Sequence, residues 1–181
     1  MGGDGGTDNA AGGVPPLLVQ LARRPDGGAV LRCRRADGSV TWQTQRGTRA
    51  AFFPGHDLTH FAVESELPGT VAFYGLIAAG WDIDDTTGKG ARGPLPPDAV
   101  VVEHIVGLLD QERGTDILMS GAEFRSALED AGKPASFLDD NSLMRIRARR
   151  SELLSRWRAL PAGDILELEL IQSSPLTGSS Q

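Results

Sequence analysis

Residues 52–64, Phe-Phe-Pro-Gly-His-Asp-Leu-Thr-His-Phe-Ala-Val-Glu, mark a change from strand-like to helix-like sequence. Residues 50–53 are predicted to form a short strand that leads into this stretch. Pro54-Gly55 interrupts it, and a helix is predicted to begin there and to end at residues 67–69, Leu-Pro-Gly. If Gly55 is the N-cap, both histidines of the stretch are helical. If Asp57 is the N-cap, His56 lies just outside the helix.

Two of the 3 histidines in the chain, His56 and His60, lie four residues apart in this stretch, and Glu64 follows after four more. Positions four apart share one face of a helix, so the three side chains are predicted to form a column. Imidazole nitrogens together with a carboxylate are common ligands of zinc and of non-haem iron. The stretch therefore predicts a mononuclear metal site that holds Zn²⁺ or Fe²⁺.

The third ligand of this predicted site is either Glu64 or His104, the remaining histidine. Three protein ligands leave a position for water, whose pKa the metal lowers toward neutrality. Asp57, Glu66 and Glu103 are candidates for the general base or for acceptors that orient the imidazoles. The resulting hypothesis is a metal-dependent hydrolase or lyase, acting on a small molecule, in which Asp57 and Glu103 are catalytic. The alternative is a non-catalytic binding module in which the same side chains form a structural network.

The segment His56-Asp57-x-x-His60 resembles the metal-binding motif of a ubiquinone-biosynthesis protein family. In that family His-Asp-x-x-His is followed by a more distant glutamate, and Ala72 occupies the corresponding position here. The resemblance covers five residues and implies metal binding by the two histidines. It carries no function over to this chain.

Residues 81–97 are predicted to form a long loop that contains several acidic residues. Its segment Asp82-Ile83-Asp84-Asp85-Thr86 resembles the first motif of haloacid-dehalogenase-type phosphatases. That resemblance implies a Mg²⁺-dependent phosphatase with Asp82 as nucleophile and Asp84 as acid/base. Lys89 and Arg92 lie among glycines in the same loop, and they are candidates for binding an anionic ligand if the loop covers the metal site. A mobile surface loop is the structural alternative.

The remaining pattern predicts an α+β fold. Residues 29–45 alternate apolar and polar side chains about Asp37-Gly38, which is typical of a β-hairpin. Residues 164–171 alternate in the same way and are predicted to be a half-buried strand, whereas residues 17–22 are an edge strand or a single helical turn. Four to five helices are expected between residues 54 and 160, and a capping box at Ser120 and Glu123 starts one of them. These elements indicate a small antiparallel sheet that packs against the helices on one face.

The composition narrows the functional classes. The chain has 181 residues, which suggests a single domain at 16–172 between a glycine-rich tail at 1–15 and a polar tail at 173–181. Its net charge of -6 argues against a nucleic-acid or anionic-membrane partner. Its single cysteine, Cys33, excludes an internal disulfide. The absence of a signal-like or membrane-length apolar segment leads us to expect a cytoplasmic protein, and the oligomeric state stays open.

Six arginines occupy the last predicted helix. Their arrangement lacks interleaved aromatic residues, so an exposed face that pairs with Glu152 and other acidic groups is favoured over a nucleic-acid surface. They are Arg145, Arg147, Arg149, Arg150, Arg156 and Arg158.

Overall fold

The structure is a computed structural model that describes residues 15–67 and 69–171. Within these residues the strands are β1 (Leu17–Arg23), β2 (Ala29–Arg35), β3 (Val40–Thr44) and β4 (Ile165–Leu170). The helices are α1 (Phe53–Glu66), α2 (Phe73–Ala78), α3 (Pro97–Thr115), α4 (Gly121–Asp130) and α5 (Asp140–Ala159), with a 3-10 helix at Ile83–Thr87. Apart from residue 15, the predicted tails at 1–15 and 173–181 lie outside the described residues.

The strands form one antiparallel sheet in the order β3-β2-β1-β4, which confirms the α+β prediction. The predicted hairpin is β2 and β3, joined at Gly38, whose φ of 85° needs the freedom of glycine. The segment at 17–22 is a strand, but it is internal rather than at the edge. The reason is that the C-terminal strand β4 returns to pair with β1, so that Leu21 lies between Leu31 and Leu166.

The start of α1 differs from both predicted alternatives. Residues 50–52 form a turn rather than a strand, and the helix begins at Phe53 with Phe52 as the N-cap. Pro54 fits within the first helical turn, where the missing N–H of proline costs no hydrogen bond. The early start has a direct consequence for the site, because it makes both His56 and His60 helical.

Other helices also begin or end at residues different from those predicted. α2 is shorter than the predicted helix at 70–79, and the predicted loop at 81–97 contains the 3-10 helix, in which the Thr86 hydroxyl donates to the Ile83 carbonyl at 2.7 Å. α3 begins at Pro97 rather than being capped by Asp98. The capping box of Ser120 and Glu123 is confirmed. None of the helices in the described part of the chain combines the length and the apolar character needed to cross a membrane.

Helix α1 lies between two hydrophobic clusters. Leu58 and Phe61 belong to the cluster that α1, α2 and the second half of α5 form against the sheet. Val63 belongs to the other cluster, which is built mainly from α3, α4 and the first half of α5. α1 is therefore buried on nearly all sides from Pro54 to Glu64. The polar side chains of this central helix must find their partners inside the protein.

The arginines of α5 follow the predicted pairing only in part. Arg149 and Arg156 pair with Glu152 at the surface, as predicted. Arg147 and Arg150 instead turn toward Glu112 of α3, whose side chain is 0% exposed. The Glu112 carboxylate also accepts a hydrogen bond from the backbone N–H of Met119 at 3.1 Å. This buried carboxylate joins α3, α5 and the start of α4.

We expect Glu112→Gln to lower the free energy of unfolding by about 3 kcal/mol, because it leaves the two arginines around it without their buried counter-charge. The measurement is urea denaturation. Glu152→Gln is the matched control, since its pairs are exposed and the expected change is below about 1 kcal/mol. Equal effects of the two substitutions would contradict the structural role of Glu112.

Candidate metal centre

Three side chains from two helices converge beside the sheet. His56 and His60 come from successive turns of α1, and Glu103 comes from α3. One potential ligand atom from each lies within 4.8 Å of the other two. The Nε2 atom of His60 is 3.5 Å from Oε1 of Glu103. The structure thus brings two imidazoles and one carboxylate to a common point, and Glu103, assigned from the sequence to a catalytic role, stands in a ligand position.

Asp110 holds His56 in place. Its Oδ2 atom is 2.7 Å from Nδ1 of His56, and its Oδ1 atom accepts from the Thr59 hydroxyl at 3.3 Å and from Arg113 Nε at 3.2 Å. Burial opposes ionisation of Asp110, but the contacts with His56 and Arg113 outweigh it and lower the pKa of the carboxyl. An ionised carboxylate accepts only, so Nδ1 of His56 donates to Asp110, and Nε2 is the nitrogen that a metal ion could bind.

Gly55 leaves room for the Arg113 side chain beside this arrangement. A Cβ atom at position 55 would approach Nη1 of Arg113 to 2.9 Å, so Gly55 lets the guanidinium lie against the first turn of α1. Arg113 also lies over the ring of Phe52, 5.1 Å from its centroid, and Phe52 stacks on His56. The side of His56 that faces away from the other ligands is therefore fixed by packing as well as by a hydrogen bond.

Glu64, predicted as a ligand, lies on the other side of His60 from Glu103. Its carboxylate accepts the backbone N–H groups of Tyr74 at 3.0 Å and of Gly75 at 2.8 Å, near the start of α2. Its Oε1 atom is 3.8 Å from Nδ1 of His60. Glu64 is not in the group of three converging ligand atoms, and its position suits the orientation of the His60 ring.

His60 is 2% exposed and lies between two carboxylates. Burial by itself lowers the pKa of His60, but the neighbouring Glu103 and Glu64 raise it to about 10. In the same way burial raises the pKa of Glu103, and the contact with His60 reverses the shift and lowers it. Nδ1 of His60 is buried without a hydrogen bond. The surroundings of this ring therefore favour a positive charge, which a proton or a metal ion can supply.

His104, the other predicted ligand, points elsewhere. Its Nδ1 atom lies 2.9 Å from the Val100 carbonyl, one turn back on α3. Successive residues of a helix are rotated by about 100° about its axis. Because Glu103 faces α1, the next residue, His104, faces α4. The structure therefore separates these two adjacent residues, both of which the sequence offered as site residues.

The group of three lies on the wall of an open cavity of about 520 Å³ between the β3 end of the sheet, α1 and α3. Asp57, predicted as a base, also lines it and is 6% exposed. Its Oδ2 atom accepts a hydrogen bond from Gln45. Burial is the main cause that raises the pKa of Asp57 to about 6, although His56 and His60 nearby act in the opposite direction. Phe53, Phe73 and Ile83 give the cavity apolar walls.

The acidic loop contributes Ile83, Thr86 and Thr87 to the lining, but none of its acidic or basic side chains. Arg92 donates to the Gly80 carbonyl at 2.9 Å and lies over the ring of Trp81, and neither Arg92 nor Lys89 borders the cavity. Asp82 pairs with Arg35 at 3.1 Å and is followed by the 3-10 helix that contains Asp84. The described sheet is antiparallel, whereas the phosphatase motif belongs at the end of a strand in a parallel sheet. The fold that this resemblance implies is therefore not found in the described residues.

Sequence reasoning missed Asp110 and Gln45. Asp110 lies seven residues after Glu103 on α3, which places both on one face of that helix, so helical spacing could have indicated it. Gln45 follows the end of β3 and carried no comparable signal.

Comparison of the chain with protein-family models, with curated proteins and with solved structures finds no match. The chemistry of the site is therefore inferred from its own geometry. Two nitrogen ligands and one carboxylate, directed at one point on a cavity wall, can hold a divalent ion and leave part of its coordination shell open to a substrate.

In metal-free protein, we expect His60 to stay protonated through neutral pH and to titrate near 10 rather than near its ordinary 6.5. A folded-state pKa above the unfolded value stabilises the fold fully below about pH 6.5, and this contribution is lost as the pH rises toward 10. Nitrogen-15 NMR of the imidazole measures the titration. His60→Gln should remove this part of the pH dependence of stability, whereas His104→Gln should keep it. Titration of His60 near 6.5 would contradict the expected environment.

Proposed function

We propose that the protein is a metal-dependent hydrolase or lyase that binds one Zn²⁺ or Fe²⁺ ion through His56, His60 and Glu103. The observation that carries the proposal is the convergence of these three side chains on the wall of an open cavity. A structural network of histidines has no need of such a cavity. A metal ion that acts on a substrate does, because its open coordination positions must be reached from outside.

The donor set and the local charge fit a divalent cation. Four carboxylates, those of Asp57, Glu64, Glu103 and Asp110, surround the two imidazoles. Asp110 supports His56 and Glu64 lies behind His60, which corresponds to the carboxylate support commonly found behind ligating histidines. Since Arg113 pairs with Asp110, it offsets part of this negative charge on the side away from the cavity. Binding of a metal would require His60 to lose its proton, and the metal would then replace the positive charge between Glu64 and Glu103.

A bound ion would polarise a substrate oxygen and lower the pKa of a coordinated water molecule. The protein groups provide the remaining functions. Asp57 faces the cavity, and its pKa of about 6 suits a carboxylate that accepts a proton at neutral pH and returns it later in the reaction. Gln45 fixes one oxygen of Asp57 by a hydrogen bond, which directs the carboxylate. Phe53 and Phe73 limit the access of water on the apolar side of the cavity.

A non-catalytic binding module is the competing function. The observation that favours it is the raised pKa of His60, because a protonated imidazole between two carboxylates needs no metal. In that case the group of three would stabilise the contact between α1 and α3. Metal content distinguishes the two functions.

Protein purified without a histidine tag should contain close to one equivalent of zinc or iron by plasma mass spectrometry. His60→Ala should lose this metal, because the substitution removes the ligand between the other two. His104→Ala is the matched control and should retain it, since His104 faces away from the group. Metal-free wild-type protein whose melting temperature does not respond to added Zn²⁺ or Fe²⁺ would contradict the proposal and favour the structural network.

Asp57→Asn should keep the metal and lower turnover about 10²- to 10⁴-fold on whichever substrate a screen of hydrolase and lyase reactions identifies. Asparagine preserves the shape and can still accept from Gln45, but it cannot take up a proton at neutral pH. Steady-state kinetics and metal analysis are done on the same preparation. Asp98→Asn, an exposed change at the start of α3, is the control. Unchanged turnover in Asp57→Asn with full metal content would exclude Asp57 as the base.

A further inference from the structure

A second cavity adjoins the candidate metal centre. It is a groove of about 310 Å³ between α3 and α4. Gly107 and Leu108 of α3 form one wall, and Ala127, Leu128 and Ala131 of α4 form the other. We refer to it as the α3–α4 groove. Glu103, a member of the metal group, lines both this groove and the larger cavity.

The α3–α4 groove differs from the larger cavity in its chemistry. Its polar side chains are those of Glu103 and His104, which lie at the end nearer the start of α3, and the rest of the lining is aliphatic or glycine. His104 is already engaged by the Val100 carbonyl through Nδ1. Beyond these two residues the groove offers a ligand apolar surface, whereas the larger cavity offers the metal group, Asp57 and Gln45.

Small residues make this groove. Gly107 lies in the interior of a long helix, where glycine weakens the helix relative to alanine. A Cβ atom built there meets no other atom within 4 Å, so packing does not demand the glycine. The φ of Gly107 is not positive, so the backbone does not demand it either. The absence of a side chain at 107 does have one effect, which is to leave the α3–α4 groove open.

We propose that the substrate of the metal site is an amphiphile with a short aliphatic chain. Its oxygen-bearing head lies at His56, His60 and Glu103, and its chain passes Glu103 and lies in the α3–α4 groove. This inference rests on the proposed function, because the head is bound through the metal.

The shared residue and the size of the groove identify this occupant. Because Glu103 borders both cavities, a ligand bound at the metal group has the mouth of the groove beside it. From Glu103 to Leu108, α3 rises about 7.5 Å, which is the length of a chain of about six carbons. A groove of this size is small for a helix or strand of a protein partner and sufficient for such a chain.

The test uses straight-chain alkyl hydroxamic acids of about two to twelve carbons with the metal-loaded protein. The hydroxamate head chelates zinc or iron, and the chain length is the variable. We expect affinity, measured by calorimetry, to rise about two- to fourfold per added methylene up to about eight carbons, about six of them in the groove, and then to level off. A rise of this kind is what transfer of an alkyl chain from water to an apolar groove produces.

Gly107→Leu fills the groove and provides the decisive variant. It should abolish the gain with chain length while leaving the affinity for acetohydroxamic acid, the two-carbon compound, unchanged. Gly114→Leu is the matched control, because Gly114 lies on the same helix, is equally unobstructed, and does not line the groove. It should bind the whole series like the wild type. The melting temperatures of both variants verify that they are folded.

The possible failures are distinguishable. If acetohydroxamic acid does not bind to protein incubated with Zn²⁺ or Fe²⁺, the proposed function is wrong and the amphiphile is excluded with it. If acetohydroxamic acid binds but chain length has no effect, the metal site stands and the amphiphile is overturned. A gain that persists in Gly107→Leu also overturns it, because the chain then lies elsewhere. If chain length has no effect and Gly107→Leu instead abolishes self-association in sedimentation, the groove is a contact between copies of the chain.

Discussion

The burial of α1 on nearly all sides is the constraint on which the site depends. A helix between a sheet and an outer layer of helices can be entirely apolar, but α1 carries Asp57, Thr59, His60 and Glu64 among its buried residues. Each of these needs a partner from another element or from its own backbone. The Glu64 carboxylate accepts hydrogen bonds from two backbone N–H groups near the start of α2. The Thr59 hydroxyl donates to the Gly55 carbonyl, and the Asp57 carboxylate accepts from Gln45. The His60 ring pairs with the Glu103 carboxylate of α3. The candidate site lies where some of these buried polar side chains border an open cavity.

The electrostatics of His60 connect the two functions considered above. Two carboxylates near one buried ring make a positive charge favourable, and they do not specify whether a proton or a metal ion supplies it. What distinguishes the two is His56. Its Nδ1 atom is committed to Asp110, so Nε2 is the ring nitrogen left to bind a metal ion together with His60 and Glu103. A purely structural His60 between two carboxylates does not require a second imidazole held in this orientation. The hydrogen bond from His56 to Asp110 therefore favours the metal.

The sequence predicts the fold class, the hairpin, the last strand and the helical column well, because each has a local period or turn signal. It does not predict the features that depend on contacts between separate helices. Glu64 has the spacing of a ligand, yet the short helix α2 places two amides against it, and the sequence has no sign of that contact. Glu103 and His104 are adjacent, and the rotation of α3 about its axis, which the packing of Ile105, Val106 and Leu109 sets, decides which of them meets α1. The two histidines of the site were accessible to sequence reasoning, and so was Glu103 as a catalytic candidate, but its place beside them as a potential ligand was not.

The same rotation of α3 explains why the metal group and the α3–α4 groove adjoin. Positions 99, 103, 106 and 110 share the face directed at α1, and positions 104, 107 and 108 share the face directed at α4. Glu103 lies at the border between these faces and is partly exposed, with 36% of its side chain accessible. A ligand that binds a metal at Glu103 is therefore close both to the larger cavity, which carries the metal group, Asp57 and Gln45, and to the apolar groove. A substrate with one polar and one apolar end uses both, whereas a uniformly polar substrate leaves the groove exposed to water. The proposed amphiphile therefore accounts for an apolar groove lined by Gly107 beside the candidate metal group.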